Sequence, residues 1–291
     1  MTPASICQRL KQVRRYVSLA RSPVDRLSLA VLGMAPFDSS GIRSFFGRLL
    51  FPELLLRPAR LRGLRLALNP GELTHIKIFD EVFRDNNYDL DLVPFIPDQI
   101  FDCGGHIGMF SLLALSRYPS VPLTIFEPNP HNVEWIRRQL QLNATKFEVV
   151  QGAVSVREGE AMFYDRLTYS GHLVDDTVSR SLDMKLLETE RAKRLGTVRA
   201  RYTVRVVDLP AMLRQRRPQR LLLKMDVEGE EIRIIPALFD VLPREAAVFF
   251  ETHDGEAGWE RAKQQFTGHG FAVERRRSIL NFFIDGFALR H

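Results

Sequence analysis

Residues 99–115 read QIFDCGGHIGMFSLLAL. An apolar run closes on Asp102 and Cys103, falls into a glycine-rich turn and leaves as a second apolar stretch, which predicts a strand, a tight loop and a helix over Met109–Tyr118 in direct succession. The alternation continues downstream. LTIFE (123–127) precedes a helical HNVEWIRRQLQLN (131–143), and FEVVQG (147–152) follows as a strand. Strands alternating with helices build βαβ units and a parallel sheet.

Past a polar middle, RYTVRVV (201–207), LLLKMD (221–226) and AAVFFET (246–252) read as strands, while EEIRIIPALFDVL (230–242) and WERAKQQFTGHG (259–270) read as helices. FAVERRR (271–277) and NFFIDGFAL (281–289) stand three residues apart. So short a link joins only antiparallel strands. The expected fold class is therefore α/β, a doubly wound, mostly parallel sheet with a terminal antiparallel hairpin. LRGLRLAL (61–68) is expected to be a strand and THIKIFDEVFR (74–84) a helix. Prolines 23, 36, 52 and 58 cut residues 1–60 into short helical pieces, an N-terminal extension to a domain spanning 61–291. Residues 165–200 are polar and poorly periodic, and are expected to form an insertion or lid within that domain.

In such a sheet a ligand sits beyond the carboxyl ends of the strands, where strand order reverses. A dinucleotide would need GxGxxG, and Gly104, Gly105 and Gly108 offer no register with those spacings. Asp102 would moreover repel a pyrophosphate. A cationic ligand without phosphate, such as S-adenosylmethionine, suits an acid followed by GxxxG, because the glycines let the backbone approach closely while the carboxylate faces the positive groups. Glu127 ends the next strand, 25 residues on. A carboxylate there can accept both hydroxyls of a ribose. Asn129, before Pro130, is either a second cofactor contact or the cap of the following helix.

IFDCGGHIGMFSLLA, IFEPNP with HNVEWIRRQLQLN, VVQGAVS, LLLKMDVEGEE and FFETH together resemble the FkbM-type methyltransferases, and the resemblance runs from about residue 75 to 289. It implies the class I methyltransferase fold, S-adenosylmethionine as cofactor, and methylation of hydroxyls on sugars, polyketides or other natural products. It further implies that Asp102, Gly104, Gly108, Glu127 and Asn129 line the cofactor site. The first motif departs from the family's usual DVGANIG, with Gly105 and His106 replacing Ala and Asn, and His106 can still donate to the cofactor. By position in that fold, Gly152 and Ala153 lie near the adenine.

A hydroxyl acceptor needs somewhere for its proton to go. Asp226 and Glu228 follow one strand, and Glu251 and His253 follow the next. His253 is the first choice as base because imidazole titrates near neutrality, with His172 in Tyr169-Ser170-Gly171-His172 in reserve. Glu230 and Glu231 open a helix, where its dipole accounts for acids. The oxygens around His253 also suit Mg²⁺, ranked below direct acid-base work, so no metal is assigned.

The chain has 291 residues, 45% of them hydrophobic and 26% charged, enough for one large core. Cys7 and Cys103 are too few for a disulfide framework, and no apolar run of membrane-spanning length or secretory leader is visible, so a cytoplasmic protein is the default. Residues 1–65 hold 12 Lys or Arg against 3 Asp or Glu, leaving −3 on the other 226 residues of a chain whose net charge is +6. That basic stretch reads either as a peripheral contact with anionic membrane or, more plainly, as a solvated helix. The second choice of function is accordingly a non-catalytic membrane- or partner-binding protein on the same fold. Nucleic acid is disfavoured as the methyl acceptor: the fourth strand is followed by DVEG where amino-methylating enzymes carry Pro-Pro-aromatic, and neither cysteine suits attack on cytosine. The expected partner is a small-molecule or glycan acceptor with a free hydroxyl.

Overall fold

A computed structural model describes Pro23 and residues 53–69, 72–145, 147–166, 172–174, 198–279 and 283–291. The basic stretch around Arg9–Val17, Tyr169, Ser170, Gly171 and most of the 165–200 insertion lie outside the described residues, as does the side chain of His172. Two compact units emerge. One runs to Asp89 and adds Ile107–Pro119 and Glu134–Lys146; the other joins Leu90–His106, Ser120–Val133 and Phe147–His291.

In the first unit, β1 (Leu54–Leu56) pairs antiparallel with β2 (Leu66–Leu68). The strand expected over 61–68 is shorter than that. Arg62 and Gly63 take φ of 49° and 107° and turn the chain, so only the last three residues extend. Helix α1 (Leu73–Phe79) continues into a π-type turn over Asp80–Arg84, which keeps the predicted stretch helical to its end. Also here are α2 (Met109–Arg117) and most of α3 (Pro130–Asn143). The Gln139 amide donates to Ala67 O at 2.6 Å and accepts from Ala67 N at 2.9 Å, completing the edge of β2 as another strand would.

The second unit contains a seven-stranded sheet ordered β12-β13-β11-β10-β3-β4-β5. Its strands are β3 (Gln99–Cys103), β4 (Leu123–Glu127), β5 (Glu148–Gln151), β10 (Arg220–Met225), β11 (Glu245–Thr252), β12 (Ala272–Ile279) and β13 (Phe283–Arg290). From β5 to β11 all pairs are parallel, while β13 is antiparallel to both β11 and β12, as the short link required. Every residue of β3 and β4 is buried. That explains their unbroken apolar runs, since a strand covered on both faces has no polar side to alternate with. One face of the sheet, carrying Phe101, Leu223, Met225, Val248 and Phe250, packs against Ile234, Ile235 and Leu238 of α5 (Glu231–Leu238) and Phe266 of α6 (Gly255–Gly268). The helix expected over 230–242 stops at Leu238, and α6 starts four residues before its predicted Trp259.

A second sheet, ordered β6-β9-β7-β8, accompanies the first. It joins β6 (Ala153–Ser155), β7 (Gly159–Arg166), β8 (His172–Val174) and β9 (Val198–Asp208). The strand read at 201–207 belongs here and not to the main sheet. Asp208 then caps α4 (Leu209–Arg216) by accepting from Ala211 N at 2.8 Å. In the main sheet the chain leaves β3 toward β4 and β5 and returns to its other side with β10 and β11. The reversal of strand order therefore falls between β3 and β10.

Candidate active site

Asp102 is wholly buried one residue before the end of β3. The loop beyond it folds on positive φ at Gly104 (83°), His106 (47°) and Gly108 (83°), and Gly108 serves as the N-cap of α2. Gly104 is dictated twice over. Besides its φ, a Cβ there would come within 1.9 Å of Asp226 O. Gly104 N and Gly105 N both donate to Phe126 O at 3.0 Å.

Glu127 closes the loop from the neighbouring strand. Its Oε2 accepts from His106 N at 2.7 Å, and its Oε1 accepts from Asn129 N at 2.8 Å and Asn132 Nδ2 at 3.2 Å. Burial pushes the Glu127 carboxyl up to about 7 in spite of these donors. His106 thus reaches Glu127 through its backbone. Asn129 uses its side chain to cap α3, accepting from His131 N at 3.0 Å. Gly152 donates to Glu127 O at 3.0 Å and lies so close to Arg205 O that a Cβ would come within 2.8 Å of it. Ala153 turns instead into the small sheet's core with Phe163 and Val204.

Lys224 escaped the sequence reading. It is register partner to Asp102 across β10 and β3, so both side chains share a face. Its Nζ donates to Gly104 O at 2.5 Å and lies 3.5 Å from Asp102 Oδ1 and 3.7 Å from Asp226 Oδ2. Burial alone would lower its pKa, but Asp102 and Asp226 outweigh it and raise it. The signal was present in LLLKM, because a lysine inside a buried apolar strand needs partners.

The structure brings Asp226, Glu228, Glu251 and His253 together at the ends of β10 and β11. His253 Nε2 lies 3.2 Å from Glu228 Oε2 and 3.7 Å from both Asp226 Oδ1 and Glu251 Oε1. Asp226, Glu251 and His253 each offer an atom within 4.8 Å of the others'. Glu228 sits at φ 56°, a left-handed conformation unusual for a side chain of this size. Glu231 opens α5 as read and also joins the group. Only 2% exposed, its side chain accepts from His253 N at 2.9 Å and from Gly229 N at 2.7 Å, and pairs with His253 Nδ1 at 3.0 Å. Glu230, by contrast, accepts from Ser155 Oγ at 2.7 Å and stands near Arg233.

This setting changes the role open to His253. Burial would lower the pKa of its imidazole, but Glu231 and Glu228 outweigh burial and hold it well above its ordinary range. The ring is 1% exposed, while Glu251, Asp226 and Glu228 are 17–24% exposed and form the rim that an incoming molecule meets. So enclosed a ring meets an acceptor less readily than the rim carboxylates do. Burial, followed by repulsion from Asp226 and Asp285, raises Glu251 well above the usual carboxylate range. Asp285 is the register partner of Glu251 on β13 and carried no motif to mark it. No helix among the described residues is long and apolar enough to cross a membrane.

Residues 102–272 match the family model described as Methyltransferase FkbM domain. Among curated proteins, the chain is 28% identical over 221 residues to the 31-O-demethyl-FK506 methyltransferase FkbM of Streptomyces tacrolimicus, covering 71% of this chain and 84% of that one. It is also 28% identical over 227 residues to Methyltransferase 1 of Beauveria bassiana, covering 72% and 86%. A solved structure, M. jannaschii TYW2 in complex with AdoMet, is similar at a TM-score of 0.41 and 11% identity, covering 82% of this chain and 87% of that one.

Proposed function

The chain belongs to the FkbM methyltransferase family, and from that premise we propose that it transfers a methyl group from S-adenosylmethionine to a hydroxyl of a sugar-, glycan- or polyketide-type acceptor. The relative named 31-O-demethyl-FK506 methyltransferase supports oxygen as the methylated atom. The observation that carries the proposal is the bridge made by Lys224. It ties Asp102, at the loop suited to a cationic cofactor, to Asp226, in the group suited to a hydroxyl.

The residues present fit this cofactor. Asp102 and Glu127 stand near the tips of adjacent parallel strands, without the glycine spacing of a pyrophosphate cradle. Glu127 is a buried carboxylate with three donors on its two oxygens, and a ribose diol would add to the hydrogen bonds that offset its burial. When bound, S-adenosylmethionine supplies an electrophilic methyl on a sulfonium. The chain then has three tasks. Asp102 faces positive charge, Glu127 fixes the sugar and the loop together, and the rim carboxylates orient the acceptor and take its proton. Alignment can contribute about 7–11 kcal/mol at best. The proton passes to a carboxylate of the rim, because His253 lies behind it.

Calorimetry with S-adenosylmethionine tests the proposal. Wild-type protein binds it, and Glu127→Ala weakens binding by about 1.5–3 kcal/mol, as expected for hydrogen bonds to a charged group. No wild-type binding would end this reading.

A further inference from the structure

We propose that Asp226, Glu251 and His253 hold a divalent metal ion of the Mg²⁺ or Mn²⁺ type. Two carboxylates and one imidazole converge at the rim, with Asp226 Oδ1 and Glu251 Oε1 each 3.7 Å from His253 Nε2. Neighbouring ligands of an octahedral ion stand about 3.0 Å apart at ligand distances of about 2.1 Å. The three atoms lie within 4.8 Å of one another, so small side-chain rotations bring them to that spacing.

An independent observation comes from the far side of the ring. Metal-ligating histidines hold their other nitrogen on a carboxylate or carbonyl, which fixes the tautomer and aims the free nitrogen at the ion. Glu231 does this here: its Oε1 lies 3.0 Å from His253 Nδ1, and it also accepts from His253 N and Gly229 N, so that the ring is clamped from behind with Nε2 facing the carboxylates. The charge agrees. Asp226, Glu228, Glu231 and Glu251 lie about His253, Asp285 stands beside Glu251, and Lys224 faces the group from the Asp226 side. Carboxylate oxygens with a single imidazole and no thiolate favour hard divalent ions.

The site stands on its own ligands; its role rests on the methyl-transfer reading above. An acceptor hydroxyl on such an ion loses its proton more readily. The O–H bond breaks with its proton passing to Glu228, the oxygen's electron pair forms the bond to the methyl carbon, and the C–S pair leaves with sulfur as a neutral thioether. His253 then serves as a ligand, which accounts for its burial behind the rim.

The test is a titration of the full chain with Mn²⁺, followed by electron paramagnetic resonance and without cofactor. The expected result is saturable uptake of one equivalent, displaced by Mg²⁺, with echo modulation from an imidazole nitrogen. Glu251→Gln and, acting through His253, Glu231→Gln each weaken uptake at least tenfold. Calorimetry with S-adenosylmethionine on the same samples checks their fold. Absence of saturable uptake by the wild type up to about 1 mM overturns the proposal. So does a spectrum without nitrogen coupling, or uptake that both variants leave unchanged. Uptake of Mn²⁺ by a wild type that fails to bind S-adenosylmethionine would instead sink the methyl-transfer reading and leave the metal site standing.

Discussion

Lys224 and Asp102 face each other across the central strand pair, Nζ 3.5 Å from Oδ1, with side chains 4% and 0% exposed. Removing one member of such a pair leaves the other charged and enclosed. Lys224→Met should therefore cost about 3–5 kcal/mol of stability, measured by urea denaturation. Adding Asp102→Leu should restore a large part of the loss. A single substitution costing under about 1 kcal/mol would mean that the pair is not desolvated as the structure has it.

The carboxyl of Glu127 gives the protein a dependence on pH. Its folded-state pKa is raised from 4.5 to about 7. Its contribution to stability is thus fully present below the unfolded value of 4.5 and is lost as pH rises through 7, about 3 kcal/mol in all. Unfolding without cofactor at pH 5.5 and pH 8 should show a loss that Glu127→Gln removes. Since a diol donates to the ionised form, cofactor affinity should rise over the same interval. A flat affinity profile would separate Glu127 from the ribose.

Gly104→Ala should be among the most damaging single methyl additions, with φ at 83° and Asp226 O 1.9 Å from the new atom. A loss of about 3 kcal/mol or more is expected, from strain and backbone displacement combined. Gly159→Ala is the matched control, because nothing lies within 4 Å of its added carbon. Thermal melts of the two variants should differ widely, and near-equal melting points would refute the close approach of loop and strand end.

Glu231→Gln keeps the shape of the clamp behind His253 and removes its charge. Because Glu231 and His253 are both nearly inaccessible, the variant should lose about 3 kcal/mol of stability and most of its turnover. Glu230→Gln, at a side chain that serves Ser155, should lose little of either. Equal effects of the two variants would return Glu231 to the role of an ordinary helix-opening acid.

The main sheet was legible where burial made it so. Gln99–Cys103 and Leu123–Glu127 are covered on both faces, and their apolar runs coincide with the strands observed. Of the small sheet only β9 was read as a strand, because β6 has three residues and β7, GEAMFYDR, mixes charges with apolar residues. The start of α6 hid behind glycines. Gly258 packs where a Cβ would lie 2.8 Å from Cβ of Asp254, the residue that caps the helix, a close fit of its first turn that reads in sequence as a helix breaker. The same division holds at the site. Asp226, Glu228, Glu251 and His253 could be gathered from strand ends, whereas Glu231 fitted a local explanation, Lys224 was marked only as a lysine in an apolar run with its partners set by register, and Asp285 acquires meaning from register alone.

Cys103 lies wholly buried in β3 opposite Met225 and Phe126, beside Asp102, and burial followed by that carboxylate pushes its thiol well above the usual range. Thiolate is the form that attacks alkylating reagents and disulfides, so this sulfur stays inert while the sheet is closed. With Cys7 replaced by serine it would be the chain's only thiol. Its rate of labelling would then count openings of the central strands, a clock that needs neither cofactor nor acceptor to run.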